Sequence, residues 1–183
     1  MMMIHGREGV LEALDFLDIE LERIGFEGVI DLYVVGGSAL VLEGELQRAT
    51  ADIDALIVLP KEIQDKAEEE KEWKQKLAEY GVNDRFLGII RVPSKDELME
   101  NPMHIDEGFS CLRVWVPDYT ELILMKLFSE REKDEQDLWN TNLFDKINII
   151  ELQEKYEEYK SYDVLPGNYT VDLHRLLKKR GYI

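Results

Sequence analysis

Apolar residues near the start of the chain fall at Val10, Leu14, Leu17, Leu21 and Ile24, with Glu12, Asp15, Glu20 and Glu22 between them. Steps of four and three put one apolar stripe on a helix from about Arg7 to Ile24, and Gly25 is placed to end it. The period then changes. Val29-Ile30-Asp31-Leu32-Tyr33-Val34-Val35 is β-branched and aromatic, too short for a helix of its own, and closed by Gly36-Gly37. It reads as a buried strand. Ser38 to Glu43 suits a short helix closed by Gly44, and Ile53 to Leu59 a second strand, begun by Asp52 and stopped by Pro60.

Residues from about Lys61 to Tyr80 are highly charged, with Ile63, Ala67, Trp73, Leu77 and Tyr80 as sparse apolar contacts of one long helix ended by Gly81. Phe86 to Val92 and Ser110 to Val116 are candidate strands, separated by a loop from Pro93 to Gly108. Asp118 with Glu121 suits a helix start leading through Ile123, Leu124, Leu127 and Phe128. Two further helices, about Ile149 to Tyr159 and Thr170 to Lys179, flank a turn from Asp163 to Asn168. This order predicts an α/β (α+β) domain: a small mixed β-sheet flanked by helices over residues 1–140, with residues 141–183 as a helical C-terminal appendage packed on it.

The chain has 183 residues, 45% hydrophobic, enough for one packed domain. Thirty-nine acidic against 22 basic residues give a net charge of -17, which repels phosphate backbones and anionic lipid. Non-specific nucleic-acid binding and membrane association are therefore not expected. The single cysteine, Cys111, makes no internal disulfide and fits a reducing compartment. The start has no signal-peptide core, and no apolar run approaches the ~20 residues of a membrane span, so a cytoplasmic location is expected. Charged residues at 33%, weighted to Glu and Lys, resemble thermophile usage.

The chemistry concentrates in two neighbouring segments. Gly36-Gly37 between a strand and a helix lets backbone amides approach an anion that the helix N-terminus also attracts, and the Ser38 hydroxyl can donate to a phosphate oxygen. Asp52 and Asp54, two apart at the start of the next strand, fall on one face of the pleat. Two carboxylates there suit Mg²⁺, or Mn²⁺, shared with substrate phosphates. Arg48 and Thr50 just upstream can add phosphate contacts. By contrast His5, His104 and His174 lack metal-ligand spacing, and Trp73, Trp115, Trp139 and Cys111 are expected to serve packing.

Taken together, Gly36-Gly37-Ser38 followed by Asp52-Ile53-Asp54 resembles the nucleotidyltransferase superfamily, with its polymerase-beta-like fold. More narrowly, Arg48-x-Thr50-x-Asp52-Ile53-Asp54 and the segment Lys126 to Leu138 are similar to abortive-infection type bacterial nucleotidyltransferase-like proteins, in which a helical Lys precedes an Arg-x-x-Asp-x-x-Asp segment. The resemblance spans about Asp31 to Leu138. It implies transfer of a nucleoside monophosphate from an NTP to an acceptor hydroxyl of a small molecule, protein or RNA, with Mg²⁺ bridging Asp52, Asp54 and the triphosphate. It also implies, for some relatives, a toxin with a partner protein encoded nearby.

Lys126 lies in the apolar run Leu122-Ile123-Leu124-Met125, so it either meets a phosphate or carboxylate or snorkels to water. Asp134 and Asp137 share a helical face and are expected to pair with Lys133 or Arg131. The superfamily's third carboxylate has no counterpart in Ser110 to Val116. Asp84 is the nearest substitute, with Asp106 and Glu107 behind it. If none reaches the metals, the expected alternative is a nucleotide-binding or interaction protein without transfer.

Overall fold

The computed structural model describes residues 4–47, 49–50, 52–84, 93–129, 131–162 and 171–183, with Ile4 and Thr50 described by their backbone. In chain order these form β1 (Ile4–His5), α1 (Gly6–Arg23), β2 (Ile30–Val34), α2 (Gly36–Leu42), β3 (Ala49–Thr50), β4 (Ile53–Val58), α3 (Lys61–Gln64), α4 (Ala67–Glu79) and β5 (Val82–Asn83). There follow α5 (Lys95–Leu98), β6 (Met103–Ile105), β7 (Leu112–Val116), α6 (Tyr119–Leu127), α7 (Glu132–Asn140), a 3-10 turn (Leu143–Lys146), α8 (Ile149–Lys160) and α9 (Leu173–Arg180).

Five of the described strands make one mixed sheet in the order β5-β4-β2-β7-β6. β2 lies at its centre, antiparallel to β4 and parallel to β7. β5 runs parallel to β4, and β6 antiparallel to β7. Alternation along β2 buries Ile30, Leu32 and Val34 and turns Asp31 and Tyr33 to the opposite face. The α1 stripe of Val10, Leu14, Leu17 and Leu21 joins those buried strand residues in one core. Within that helix Asp18 is buried as well, because its carboxylate accepts the Ser110 and Cys111 backbone N–H groups at 2.8 and 2.7 Å. One side chain thus ties the first helix to the entry of β7. Leu152, Tyr156 and Tyr159 of α8 and Leu173, Leu176 and Leu177 of α9 belong to the same core, and Phe128 stacks on Tyr156 with centroids 5.1 Å apart.

Several expected elements differ. The single helix from Lys61 to Tyr80 is two, because Lys66 is extended between α3 and α4 (φ -124°, ψ 91°). Before that break only Ile63 is buried, and the Gln64 side chain turns back to donate to the Leu59 carbonyl. The expected loop from Pro93 to Gly108 contains α5 and β6. Its signal is visible in the sequence: Ser94 and Glu97 form a capping box, each side chain accepting from the other's backbone N–H. The small pairing of β1 with β3 was not expected either. Helix α9 starts at Leu173, where Asp172 caps it. The candidate strand Phe86 to Val92 and the turn Asp163 to Asn168 lie outside the described residues. Among the described residues no helix is long and apolar enough to cross a membrane.

Candidate active site

The central strand β2 ends where α2 begins, and the turn between them requires glycine. Gly36 has φ +63°, a left-handed conformation that a side chain resists, and a Cβ built there would meet nothing within 4 Å. The backbone is therefore bare and approachable at this point. Ser38, two residues on, is 3% exposed, and its hydroxyl donates to the Asp52 carbonyl at 3.2 Å. The Val35 N–H donates to the Asp54 carbonyl at 2.9 Å. These two bonds clamp the Gly36-Gly37 turn against the Asp52-Ile53-Asp54 segment, so residues 14 and 19 positions apart in sequence share one end of the sheet.

Asp52 is exposed and Asp54 half-buried. Opposite Asp54 on the parallel neighbour stands Asn83, whose Nδ2 donates to Asp52 Oδ2 at 3.3 Å. Burial raises the Asp54 carboxyl above its ordinary value and the charge of Asp52 raises it further, while Arg131 lowers it and Asp134 raises it. Arg131 and Asp134 thus lie close enough to act on Asp54 across the chain.

Asp134 belongs to a buried ionic group, which the exposed Arg131 closes from the solvent side. Lys126 is 2% exposed, and its Nζ donates to Asp134 Oδ1 at 2.8 Å and Asp137 Oδ2 at 2.7 Å. Of the partners expected for Lys126, it has carboxylates. The Arg131 Nε donates to Asp134 Oδ2 at 2.7 Å, and the Ser129 hydroxyl donates to the same oxygen. Burial by itself would raise Asp134, but Lys126, Ser129 and Arg131 outweigh it and hold the carboxyl below the usual range.

The chain matches, over residues 12–179, the family model described as a nucleotidyltransferase of unknown function (DUF6036). It belongs to that family. No curated protein and no solved structure matches it.

In this nucleotidyltransferase family member the remaining candidate residues are distributed as follows. Gly36, Gly37, Ser38, Asp52 and Asp54 come together at the clamped turn. Thr50 lies in β3, opposite Ile4, and Arg48 lies outside the described residues. Asp84 follows directly on β5 and accepts from Lys74 of α4 at 3.1 Å. Glu107 pairs with Arg7 at 2.8 Å. Asn83 and Asp134 are the neighbours that sequence reasoning did not place beside Asp52 and Asp54. A signal for Asp134 existed, since a buried Lys126 needs a partner and Asp134 and Asp137 lie eight and eleven residues ahead of it.

The residues fit a divalent cation. Two carboxylates on one face, one raised by burial and by the other's charge, repel in the absence of a cation. Among the described residues no group of three or more His, Cys, Asp or Glu is gathered for a metal, and two carboxylates completed by substrate phosphates are the usual surroundings of Mg²⁺.

Proposed function

We propose that this protein is a Mg²⁺- or Mn²⁺-dependent nucleotidyltransferase that transfers a nucleoside monophosphate from an NTP to an acceptor hydroxyl. The observation that carries the reading is the clamp: a bare glycine turn and a repelling Asp52–Asp54 pair held together by the Ser38–Asp52 and Val35–Asp54 bonds. Phosphoryl transfer asks a protein for positioning and charge neutralisation. Asp52 and Asp54 would hold the cation, which would neutralise the triphosphate and activate the acceptor oxygen. The backbone at Gly36 and Gly37 would receive the phosphates, together with Arg48 and Thr50. The Ser38 proton is engaged by the Asp52 carbonyl, so its first task is to hold the cation carboxylates beside the turn.

Lys126 acts in this reading through the carboxylates it fixes, Asp134 above all, whose charge reaches Asp54. Two acids compete for the role of proton acceptor. Asp84 must first give up Lys74, whereas Asp134 is held by Lys126, Ser129 and Arg131 within electrostatic reach of Asp54. The pairing of Asp84 also favours a second reading, a nucleotide-binding protein without transfer. The similarity of residues 48–54 and 126–138 to the abortive-infection type extends the proposal to a cytoplasmic toxin with a partner encoded beside it.

The deciding experiment incubates the full chain with each α-labelled NTP, Mg²⁺ and cell extract. A labelled acceptor that is absent with Asp52→Ala supports transfer. Mg²⁺-dependent NTP binding without a labelled product from any extract supports the second reading.

A further inference from the structure

The face of the sheet that carries Asp54 also carries a row of aromatic side chains. The β2–β4 register pairs Tyr33 with Leu56 and Val34 with Ala55, which sets Tyr33 diagonal to Asp54 on the same face, a spacing of about 7–8 Å. Tyr33 pairs in turn with Trp115 of β7, and Trp115 with His104 of β6. The Tyr33 and Trp115 rings are nearly parallel, 16° apart with centroids 6.1 Å apart, and the His104 ring follows at 4.6 Å.

This row is held in place and is accessible. Asp31 accepts from Trp115 Nε1 at 2.8 Å and from Arg113 at 2.7 Å, which fixes the indole without covering it. Tyr33 and Trp115 are half-buried and His104 is exposed. Tyr33, like Trp73 and Trp139, borders the apolar core, whereas Trp115 packs on the rings of Tyr33 and His104.

We propose that Tyr33 and Trp115, extended by His104, form the stacking shelf for the nucleobase of the bound nucleoside triphosphate. The proposal rests on the nucleotidyltransferase reading above, because the shelf begins beside the carboxylates that would hold the triphosphate's cation. Phosphates at the Gly36-Gly37 turn and a cation at Asp52 and Asp54 leave the ribose and base to extend from that end of the sheet. Along β2 and β7 the exposed face offers aromatic planes. Every base has a π-face, so the shelf gives affinity with little preference among the four bases.

The test compares Mg²⁺-dependent binding of each NTP with that of inorganic tripolyphosphate by calorimetry on the full chain. It uses the parent, Tyr33→Leu, Trp115→Leu and Trp115→Phe, each checked for its fold by circular dichroism. The parent is expected to bind NTPs about tenfold more tightly than tripolyphosphate. Tyr33→Leu and Trp115→Leu should lose most of that margin with tripolyphosphate affinity unchanged, and Trp115→Phe should retain it, since it loses the Asp31 bond but keeps a ring. A Trp73→Phe/Trp139→Phe background leaves Trp115 as the sole indole, and its fluorescence should be quenched by NTP and not by tripolyphosphate. Equal affinity for NTP and tripolyphosphate, or an unchanged margin in both leucine variants, overturns the shelf. If tripolyphosphate binding is still lost with Asp52→Ala, the underlying reading survives that result. Failure of both ligands to bind overturns the two together.

Discussion

The Ser38 hydroxyl, buried at the start of α2, donates to the Asp52 carbonyl at 3.2 Å and so joins the glycine turn to the carboxylate strand. Ser38→Ala removes the donor and leaves a carbonyl without that partner, a loss of about 1 kcal/mol. The expected drop in melting temperature is about 2–4 °C for a chain of this size. Mg²⁺-dependent NTP affinity should fall as well, because the two halves of the site are no longer held in register. Thermal melts and NTP titrations of the same preparation check both effects. An unchanged affinity would show that the clamp is not needed for binding.

Asp54 gives a prediction with a defined sign. Its folded carboxyl is raised by burial and by Asp52, so the native state binds the proton more tightly than the unfolded chain does. The stability penalty is absent well below the unfolded value, about 3.9, and is complete once pH has risen through the folded value. Asp54→Asn removes it. Above that window the variant should melt higher than the parent in chelator, with the difference closing as pH falls toward 4. Mg²⁺ with NTP should raise the melting temperature of the parent alone. Melts from pH 4 to 8, with and without the cation, measure this.

Lys126 neutralises two buried carboxylates, so its removal should be severe. Lys126→Met leaves Asp134 with Arg131 as its described cation and takes Lys126 from Asp137, and is expected to cost about 3–5 kcal/mol in urea unfolding. The triple variant Lys126→Met/Asp134→Asn/Asp137→Asn should recover much of that loss, since neutral groups are cheaper to bury than unpaired charges. Because Asp134 is held below its unfolded value, the parent should lose part of its stability as pH falls through the folded carboxyl range. Lys126→Met should lose less of its stability over the same range.

Asp84 and Asp134 separate the two candidates for the third acid. The Lys74–Asp84 pair is partly exposed, so Asp84→Asn should change stability by less than about 1 kcal/mol. If Asp134 is the acid, Asp134→Asn lowers transfer far more than NTP binding while Asp84→Asn leaves both near the parent. The reverse pattern returns the role to Asp84. Single-turnover transfer beside equilibrium binding distinguishes a loss confined to the transition state.

The periodic parts of this protein are written in its sequence. The four-and-three spacing from Val10 to Leu21 is enough to define α1, since the stripe has one way to be buried. The β-branched run before Gly36 defines β2 and the turn after it, because only glycine accepts the left-handed backbone there. Gly36, Gly37, Ser38, Asp52 and Asp54 were legible as candidates through their order and spacing. Where the pattern was weak, local chemistry decided: one buried residue, Ile63, could not carry a helix from Lys61 through Lys66. What spacing does not encode is which distant residues meet. The sheet order β5-β4-β2-β7-β6 puts Asn83 beside Asp54 and lines Tyr33 up with Trp115, and the return of α7 onto α6 brings Asp134 to Lys126. Those contacts depend on strand pairing and on the need of a buried charge for a partner, and both are satisfied only once the chain has closed on itself.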